Sequence, residues 1–151
     1  MADIRTTITI GADTFPVLDY AMNGFLLADD DGLATAVIIS LWTDRQANAD
    51  DPLPAGSDRR GWWGDELSPT TGDRIGSRLW LNDSAKQLAA VLVQDRAYAT
   101  EALQWLIDDG VASAVDVVAS NPGMGVRALA VAITRPGRPV ARYQFSRFWN
   151  D

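Results

Sequence analysis

The 151-residue chain is 47% hydrophobic and 22% charged, as expected for a soluble globular protein, and its length predicts one domain over residues 1–151. Its net charge of −7 argues against a nucleic-acid-binding or membrane-surface protein, because phosphate backbones and anionic lipids would repel it. The lack of cysteine and histidine excludes disulfides, zinc sites of the usual type, cysteine nucleophiles and Ser-His-Asp catalysis.

The N-terminal segment is predicted to form short paired strands. TTITIGADTF alternates with period two through Ile8 and Ile10, and FLLADDDG holds a second extended run that ends in an acidic turn. These patterns indicate a β-hairpin or paired edge strands. MADIRTTITI lacks the basic start and apolar core of a signal peptide, and no apolar run approaches the length of about 20 residues that a membrane span needs. We therefore expect a protein that starts in the cytoplasm and has no membrane partner.

The first helix is predicted to follow Gly32. LATAVIISLWTD has apolar residues at helical spacing, and Asp30 or Asp31 is placed to cap the first turn. The acidic run DDDG could suggest a calcium loop, but Leu27 and Ile38 occupy positions where an EF-hand needs oxygen ligands. We therefore interpret the acidic turn as a helix cap.

Residues 44–75 are predicted to form a long irregular connection, because turn-forming residues surround the stretch DRRGWWGDE at 58–66. A loop of this length in a compact domain is usually functional or disordered, and Trp62 and Trp63 argue against disorder. Three arrangements stay open: both indoles close the domain core, both contact a partner, or one packs inward while the other faces a partner. A partner contact would have a polar rim formed by Arg59, Arg60 and Asp65.

A long helical segment is predicted after the apolar run GSRLWLN. Ser84 and Gln87 match the capping-box pattern, which predicts a helix start at this point. The helix is expected to reach Asp109, either continuously or with a break near Asp95, and to end with Gly110 as a left-handed cap. Its apolar stripe consists of Leu88, Val91, Leu92, Tyr98, Ala102, Trp105 and Leu106.

The C-terminal third is predicted to form three strands. The first strand is predicted over VASAVDVVAS, which is rich in residues that favour strands, and NPGMG at 121–125 is predicted to form a turn. The other two strands are predicted in VRALAVAITRPGRPVARYQFSRFW, where apolar and polar residues alternate on both sides of Pro136, Gly137 and Arg138. The element order predicts an α+β fold, with helices packed on a small, mainly antiparallel sheet.

The acidic residues form no recognisable catalytic pair. Glu66 and Glu101 are the only glutamates, and glycoside hydrolysis needs two carboxylates that flank one bond. Asp65 and Glu66 are adjacent, but neighbours in an extended stretch point apart. We therefore predict no catalytic, metal or cofactor site. The remaining candidates for a nucleophile or base lack an activating partner: Ser40, Ser68, Thr70 and Lys86.

Several motifs together resemble a known family. RRGWWGD is followed by GSRLWL and by a helical segment that ends YATEALQWLIDDGVA, and the similarity begins at NGFLLADDDGLATAVIISLWTDRQA. In this combination the chain resembles the small baseplate protein family of Mu-like contractile-tailed phages. That family is related to the tail-lysozyme-like sheath-initiator proteins of other phage baseplates and of type VI secretion baseplates. The sequence lacks the Glu-Pro-Arg motif of those relatives, so we transfer that motif's contacts to no position.

The resemblance implies a tail-lysozyme-like domain that acts as a structural, non-enzymatic component of the baseplate wedge and helps initiate the sheath. The expected partners are other wedge proteins and tail sheath subunits, in a hetero-oligomer without cofactors. The expected location is the host cytoplasm during assembly and the virion tail baseplate afterwards. If the last strand lies at a sheet edge, a partner could add a strand to it, whereas an ordinary core strand is the alternative. Its aromatic face carries Tyr143, Phe145, Arg147 and Trp149.

Two other functions stay open. A peptidoglycan-degrading glycosidase would use acidic residues such as Glu66 as the tail penetrates the cell wall. A cytoplasmic domain that binds a small ligand would need a sizeable apolar pocket with a few convergent polar groups, which no motif of the sequence specifically requires.

Overall fold

The computed structural model divides the chain into two compact units, Met1–Ile39 and Ser40–Asp151, which are described separately. The organisation as a single domain therefore stays a prediction. The structure describes residues 3–4, 6–10, 16–20, 22–23, 26–27, 29–30, 32–54, 56, 58–68, 72, 74–86 and 88–148.

The first unit contains three pairs of antiparallel strands. β1 (Asp3–Ile4) pairs with β6 (Asp29–Asp30), β2 (Thr6–Ile10) pairs with β3 (Pro16–Tyr20), and β4 (Met22–Asn23) pairs with β5 (Leu26–Leu27). Both predicted runs contain strands, but the prediction that the two runs pair with each other is wrong. The TTITI strand pairs with PVLDY and the LL of FLLADDDG pairs with Met22–Asn23, because short loops close at a lower entropic cost than long ones.

Helix α1 (Leu33–Trp42) confirms the first predicted helix. Its buried positions include Leu33, Val37 and Leu41, which recur at every fourth residue as a helical core stripe requires. Asp30, one of the two predicted caps, belongs to the β1–β6 ladder, and its side chain is not described, so this cap stays a prediction. Asp31, the alternative cap, lies outside the described residues.

In the second unit, the connection before the next helix is largely irregular, as predicted. Its described part contains one short 3-10 turn, Trp63–Leu67, and a parallel bridge that joins Asp44 to Ser77. A second 3-10 turn, Leu79–Asn82, precedes helix α2 (Ala89–Leu103), and the short helix α3 (Trp105–Asp108) follows.

The predicted start of the long helix is wrong. The capping-box pattern placed it near Ser84, whereas α2 begins at Ala89 and Leu88 before it is extended. The carbonyls of Asn82 and Ala85 accept hydrogen bonds from the buried Arg127, so a tertiary contact holds this segment out of helical conformation. The helical segment breaks after Leu103, and α2 continues through Asp95. Gly110 has the left-handed φ of +70° that the predicted cap requires.

The three predicted C-terminal strands form one antiparallel sheet in the order β7 (Ala114–Gly123), β8 (Val126–Thr134) and β9 (Ala141–Phe148). Met124 and Gly125 make the turn between β7 and β8, so most of the NPGMG segment belongs to the end of β7. Among the described strands, β9 pairs only with β8 and therefore forms an edge. Helices α2 and α3 both pack against β7, which confirms the α+β class.

The core of the second unit combines one face of the sheet with the helices. Leu129, Val131 and Ile133 alternate along β8 with side chains that are more exposed, so one face of the central strand is buried. Within the described residues, no helix is both long enough and apolar enough to cross a membrane. Other buried apolar residues of this unit include Val91, Ala99, Ala102, Leu103, Leu106 and Val117.

Candidate protein-binding surface

The tryptophan that anchors the irregular segment is Trp80. It is 4% exposed, and its indole N–H donates a hydrogen bond of 2.8 Å to the carbonyl of Arg45. Ala47 and Leu81 are buried with it. The guanidinium of Arg60 lies 4.5 Å from the centroid of the Trp80 ring, at a distance typical of a cation–π contact. The buried indole comes from the segment GSRLWL, and the tryptophans of GWWGD lie elsewhere.

The base of the loop is closed by backbone hydrogen bonds. The amide of Arg45 donates to the carbonyl of Ser77, and the amide of Ser77 donates to the carbonyl of Thr43, both at 2.9 Å. The Ser77 hydroxyl donates to the carbonyl of Leu41 at 2.6 Å. Gly76 makes this approach possible, since its φ is +95° and a Cβ there would overlap the Thr43 carbonyl oxygen. The two ends of residues 44–75 are thereby held together.

The two arginines of DRRGWWGDE are used within the loop. Arg59 donates to the carbonyls of Asn48 and Ala49, and its own carbonyl accepts from the amide of Ala47. Arg60 donates to Asp44 at 2.8 Å and covers the Trp80 ring. These guanidinium groups therefore hold the loop in shape, and their predicted role as the polar rim of a partner contact stays a prediction.

Asp65, also predicted as a rim residue, joins two parts of the irregular segment. Its Oδ1 accepts a hydrogen bond of 3.1 Å from the amide of Ile75, ten residues further along the chain. Its backbone amide donates to the carbonyl of Trp62, which starts the 3-10 turn. The turn that carries the paired tryptophans is thus tied to the segment that leads into the loop base.

Trp62 and Trp63 are exposed in the structure. Their side chains are 41% and 72% exposed, and Leu67 at the end of the same turn is 74% exposed. The rings contact each other with centroids 5.5 Å apart and a tilt of 45°. The hypothesis that these indoles close the core is therefore wrong, and so is the alternative in which one packs inward. We call the surface formed by Trp62, Trp63 and Leu67 the indole patch.

Gly64 determines where the Trp62 ring lies. A Cβ at position 64 would overlap two carbons of the six-membered ring of Trp62 and would lie 2.7 Å from a third. The indole therefore rests directly on the glycine backbone. The second glycine of GWWGD is needed for this contact, and its φ is not in the left-handed region.

A half-buried ion-pair network joins the irregular segment to α2. Arg78 donates to both oxygens of Asp51 at 2.8 Å and to Glu101 at 2.8 and 3.1 Å, and it lies 4.7 Å from the Tyr98 ring centroid. Burial alone would lower the pKa of Arg78, but the hydrogen bonds to the two carboxylates outweigh it and raise the pKa. Arg45 adds a weaker contact to Glu101 at 3.7 Å.

A second, fully buried polar cluster lies between α2 and β8. Asp95 is 1% exposed, accepts from Arg127 at 3.0 Å and accepts from the Asn82 side chain at 2.8 Å. Burial raises the pKa of Asp95, and the opposing contributions from Asn82 and Arg127 are smaller. Two features of the sequence could have indicated this cluster. Asp95 lies one turn from Val91 on the buried helix face, and Arg127 interrupts the apolar strand VRALAVAIT.

The aromatic side of β9 is partly covered. Tyr143 and Phe145 stack with ring centroids 6.4 Å apart, and Phe145 and Trp42 make a T-shaped contact with centroids 6.1 Å apart. These two predicted binding residues thus form one aromatic cluster along the edge strand. Arg147 belongs to β9, but its side chain is not described, and Trp149 lies outside the described residues.

The acidic residues considered for hydrolysis do not converge on a common point in the described contacts. Glu66 is exposed on the turn of the indole patch, whereas Glu101 is held by Arg78 and Arg45. In the part of the chain that the structure describes, no group of three acidic side chains is placed to hold a metal ion.

Comparison with known proteins identifies the family. A family model described as phage protein GP46 matches residues 33–140. The chain is 46% identical over 134 residues to baseplate protein gp46 of Escherichia phage Mu, which covers 87% of this chain and 90% of that protein. It is 42% identical over 121 residues to the Mu-like prophage FluMu protein gp46 of Haemophilus influenzae, which covers 80% of this chain and 82% of that protein. The resemblance drawn from the GWWGD and GSRLWL motifs is confirmed, and the chain belongs to the GP46 family of Mu-like phage proteins.

Proposed function

We propose that this protein is a structural component of a contractile phage tail baseplate. The observation that carries the proposal is the 46% identity, across most of both chains, to a protein named as a baseplate protein of phage Mu. In the finer form of the proposal, the chain belongs to the baseplate wedge, binds other wedge proteins and tail sheath subunits, and helps initiate the sheath. It joins this hetero-oligomer in the host cytoplasm and remains in the virion tail.

The shape of the irregular segment supports a binding role. Backbone hydrogen bonds close the base of the segment, and contacts of Arg59, Arg60 and Trp80 hold it in place. The indole patch at the 3-10 turn nevertheless stays exposed. A rigid loop that presents large aromatic side chains loses little conformational entropy on binding. Exposed tryptophans of this kind are frequent energetic centres of protein interfaces.

The edge strand β9 is the second proposed contact. It pairs with β8 on one side, and no other described strand pairs with its second side, so its backbone groups are placed for strand addition by a wedge or sheath subunit. Tyr143 and Phe145 would support such a contact from the aromatic face. Arg147 and Trp149 remain predicted contributors.

The proposal assigns no catalytic step to the chain. A glycosidase would need a pair of carboxylates that flank a substrate bond, but the Glu101 carboxylate is engaged by two arginines and Glu66 lies exposed on the turn. Glu101 therefore suits a role in holding the fold together, and Glu66 suits a role in contacting a partner, rather than a role in hydrolysis.

The proposal is tested by removing the chain from phage assembly. A phage with the coding gene deleted should produce no complete contractile tails in electron micrographs, and a plasmid copy should restore them. Quantitative mass spectrometry should find the restored chain in purified tails at a fixed ratio to other baseplate proteins. Complete tails without the chain, or purified tails from which it is absent, would overturn the proposal.

A further inference from the structure

We propose that the indole patch binds a cationic segment of a neighbouring baseplate protein, with an arginine or lysine side chain placed against Trp63 and beside Glu66. This inference rests on the proposed function and names the chemistry of one partner surface. The occupant is a protein segment with at least one basic residue.

The patch is apolar, and its geometry is fixed. Trp63 and Leu67 are each exposed over more than two-thirds of their surface, and Trp62 is fixed against Gly64. The backbone of the turn is held by Asp65, whose carboxylate accepts from Ile75. A partner would therefore meet a pre-formed aromatic surface and would not have to order it.

The charged group of this turn that can still pair with a partner is a carboxylate. The guanidinium groups of Arg59 and Arg60 are already bonded to backbone carbonyls and to Asp44. Glu66 lies between Trp63 and Leu67 in the 3-10 turn, is exposed, and has no ion pair among the described residues. Arg74 is an exposed cation of a neighbouring segment, outside the turn itself. A partner seated on the turn would thus find aromatic surface and a carboxylate together.

A basic side chain suits that combination. A guanidinium or ammonium group is attracted to the face of an indole, and tryptophan is the strongest of the aromatic partners. A carboxylate on the same turn offers the cation a charge-assisted hydrogen bond. The net charge of −7 on the chain would also speed the encounter with a basic partner, because complementary charges steer association.

The first test measures incorporation of charge variants into tails. Full-length variants are supplied to the deletion phage, and their copies per purified tail are counted by mass spectrometry. Glu66→Arg should lower the occupancy at least about tenfold and Glu66→Gln by a smaller factor, in line with the loss of a central interface contact. Asp50→Arg, the same charge reversal at an exposed position of the same irregular segment, and Arg74→Gln should leave the occupancy unchanged. Equal thermal midpoints for all four variants would show that folding is intact.

The second test identifies the chemistry of the neighbour. The photoreactive variant Leu67→benzoylphenylalanine is incorporated into tails and irradiated, and the cross-linked peptide is sequenced. We expect a peptide of another baseplate protein with an arginine or lysine within a few residues of the cross-link. A peptide without basic residues, or one from a second copy of this chain, would overturn the inference.

The outcomes separate this inference from the proposed function. If the unmodified chain is absent from tails, the proposed function fails. If the unmodified chain is present and Glu66→Arg is incorporated equally well, the cationic partner is refuted and the baseplate role stands. Tryptophan fluorescence quenching by N-acetylglucosamine tetramer that disappears in Trp63→Ala would instead make the patch a saccharide site and would also overturn the inference.

Discussion

Replacement of Gly76 by alanine tests whether the base of the irregular segment is as tightly closed as the structure shows. Gly76 has a φ of +95°, and a Cβ at this position would overlap the Thr43 carbonyl oxygen and lie 2.8 Å from the carbonyl carbon. A non-glycine residue in a left-handed conformation costs about 1–2 kcal/mol. The clash must also displace Thr43, whose carbonyl accepts from the buried Ser77, and a lost hydrogen bond costs about 1–2 kcal/mol more.

Gly72→Ala is the matched control for this change. Gly72 has a similar φ of +87°, but nothing lies within 4 Å of a Cβ placed there. It should therefore show only the backbone cost, about 1–2 kcal/mol, whereas Gly76→Ala should lose about 3 kcal/mol in total. For a chain of this size, about 3 kcal/mol corresponds to a fall of roughly 6–12 °C in the thermal midpoint.

The assay is thermal and urea unfolding of both variants, followed by circular dichroism and by tryptophan fluorescence. The difference between the two variants isolates the overlap with Thr43 from the backbone strain that they share. Equal losses for Gly76→Ala and Gly72→Ala would refute the close approach at the loop base, because the shared backbone cost would then explain both.

Three further changes test the buried contacts of the second unit. Asp95→Ala should destabilise the chain by about 3–5 kcal/mol in urea unfolding, because it removes the side chain that accepts hydrogen bonds from the buried Arg127 and Asn82, which a neutral carboxyl would still accept; a loss below about 1 kcal/mol would contradict the buried cluster. Burial raises the pKa of Asp95 above its ordinary 3.8, so its contribution favours folding below that pH and is lost as the pH rises through the raised pKa. Asp95→Asn should flatten this fall in unfolding free energy, and unchanged pH curves would contradict the assignment. Trp80→Phe removes the indole donor to the Arg45 carbonyl and should cost about 1–3 kcal/mol, measured by the same urea titration; an unchanged midpoint would contradict the anchoring role.

Local sequence patterns predicted the elements that depend on neighbouring residues. The spacing of Leu33, Val37 and Leu41 is a property of a single helix, and Gly110 ends the helical segment with a backbone conformation that glycine favours. The three C-terminal strands were also predictable, because alternation and turn residues act over a few positions. The α+β class follows from the order of these elements.

Elements that depend on distant partners were predicted less well. The helix start was misplaced because a capping pattern at Ser84 cannot show that Arg127, far along the chain, will bind the carbonyl of Ala85. The sequence also could not show which tryptophan of the loop region would be buried. Trp80 is covered because Arg45 and Ala47 are brought beside it by the bridge at the loop base. Trp62 and Trp63 are left exposed by the same fold.

The roles of the charged residues at the candidate site also depend on contacts that the sequence alone does not show. Arg59, Arg60 and Asp65 were predicted as a polar rim for a partner contact, whereas the structure shows contacts of all three within the loop region, so their role in binding stays a prediction. Glu66, in contrast, is exposed on the 3-10 turn. Its exposure depends on the backbone path of that turn, which no local sequence pattern predicts.

We propose that the chain works by burying the indole patch against a baseplate neighbour. Hydroxyl-radical footprinting of Trp63 tests it directly, with the oxidation rate measured in the free chain and in purified tails and normalised to an added reference peptide. Trp63 is 72% exposed in the chain alone, so we expect rapid oxidation when free and strong protection in the tail. Equal oxidation rates in the free chain and in the assembled tail would contradict the burial of the indole patch on assembly.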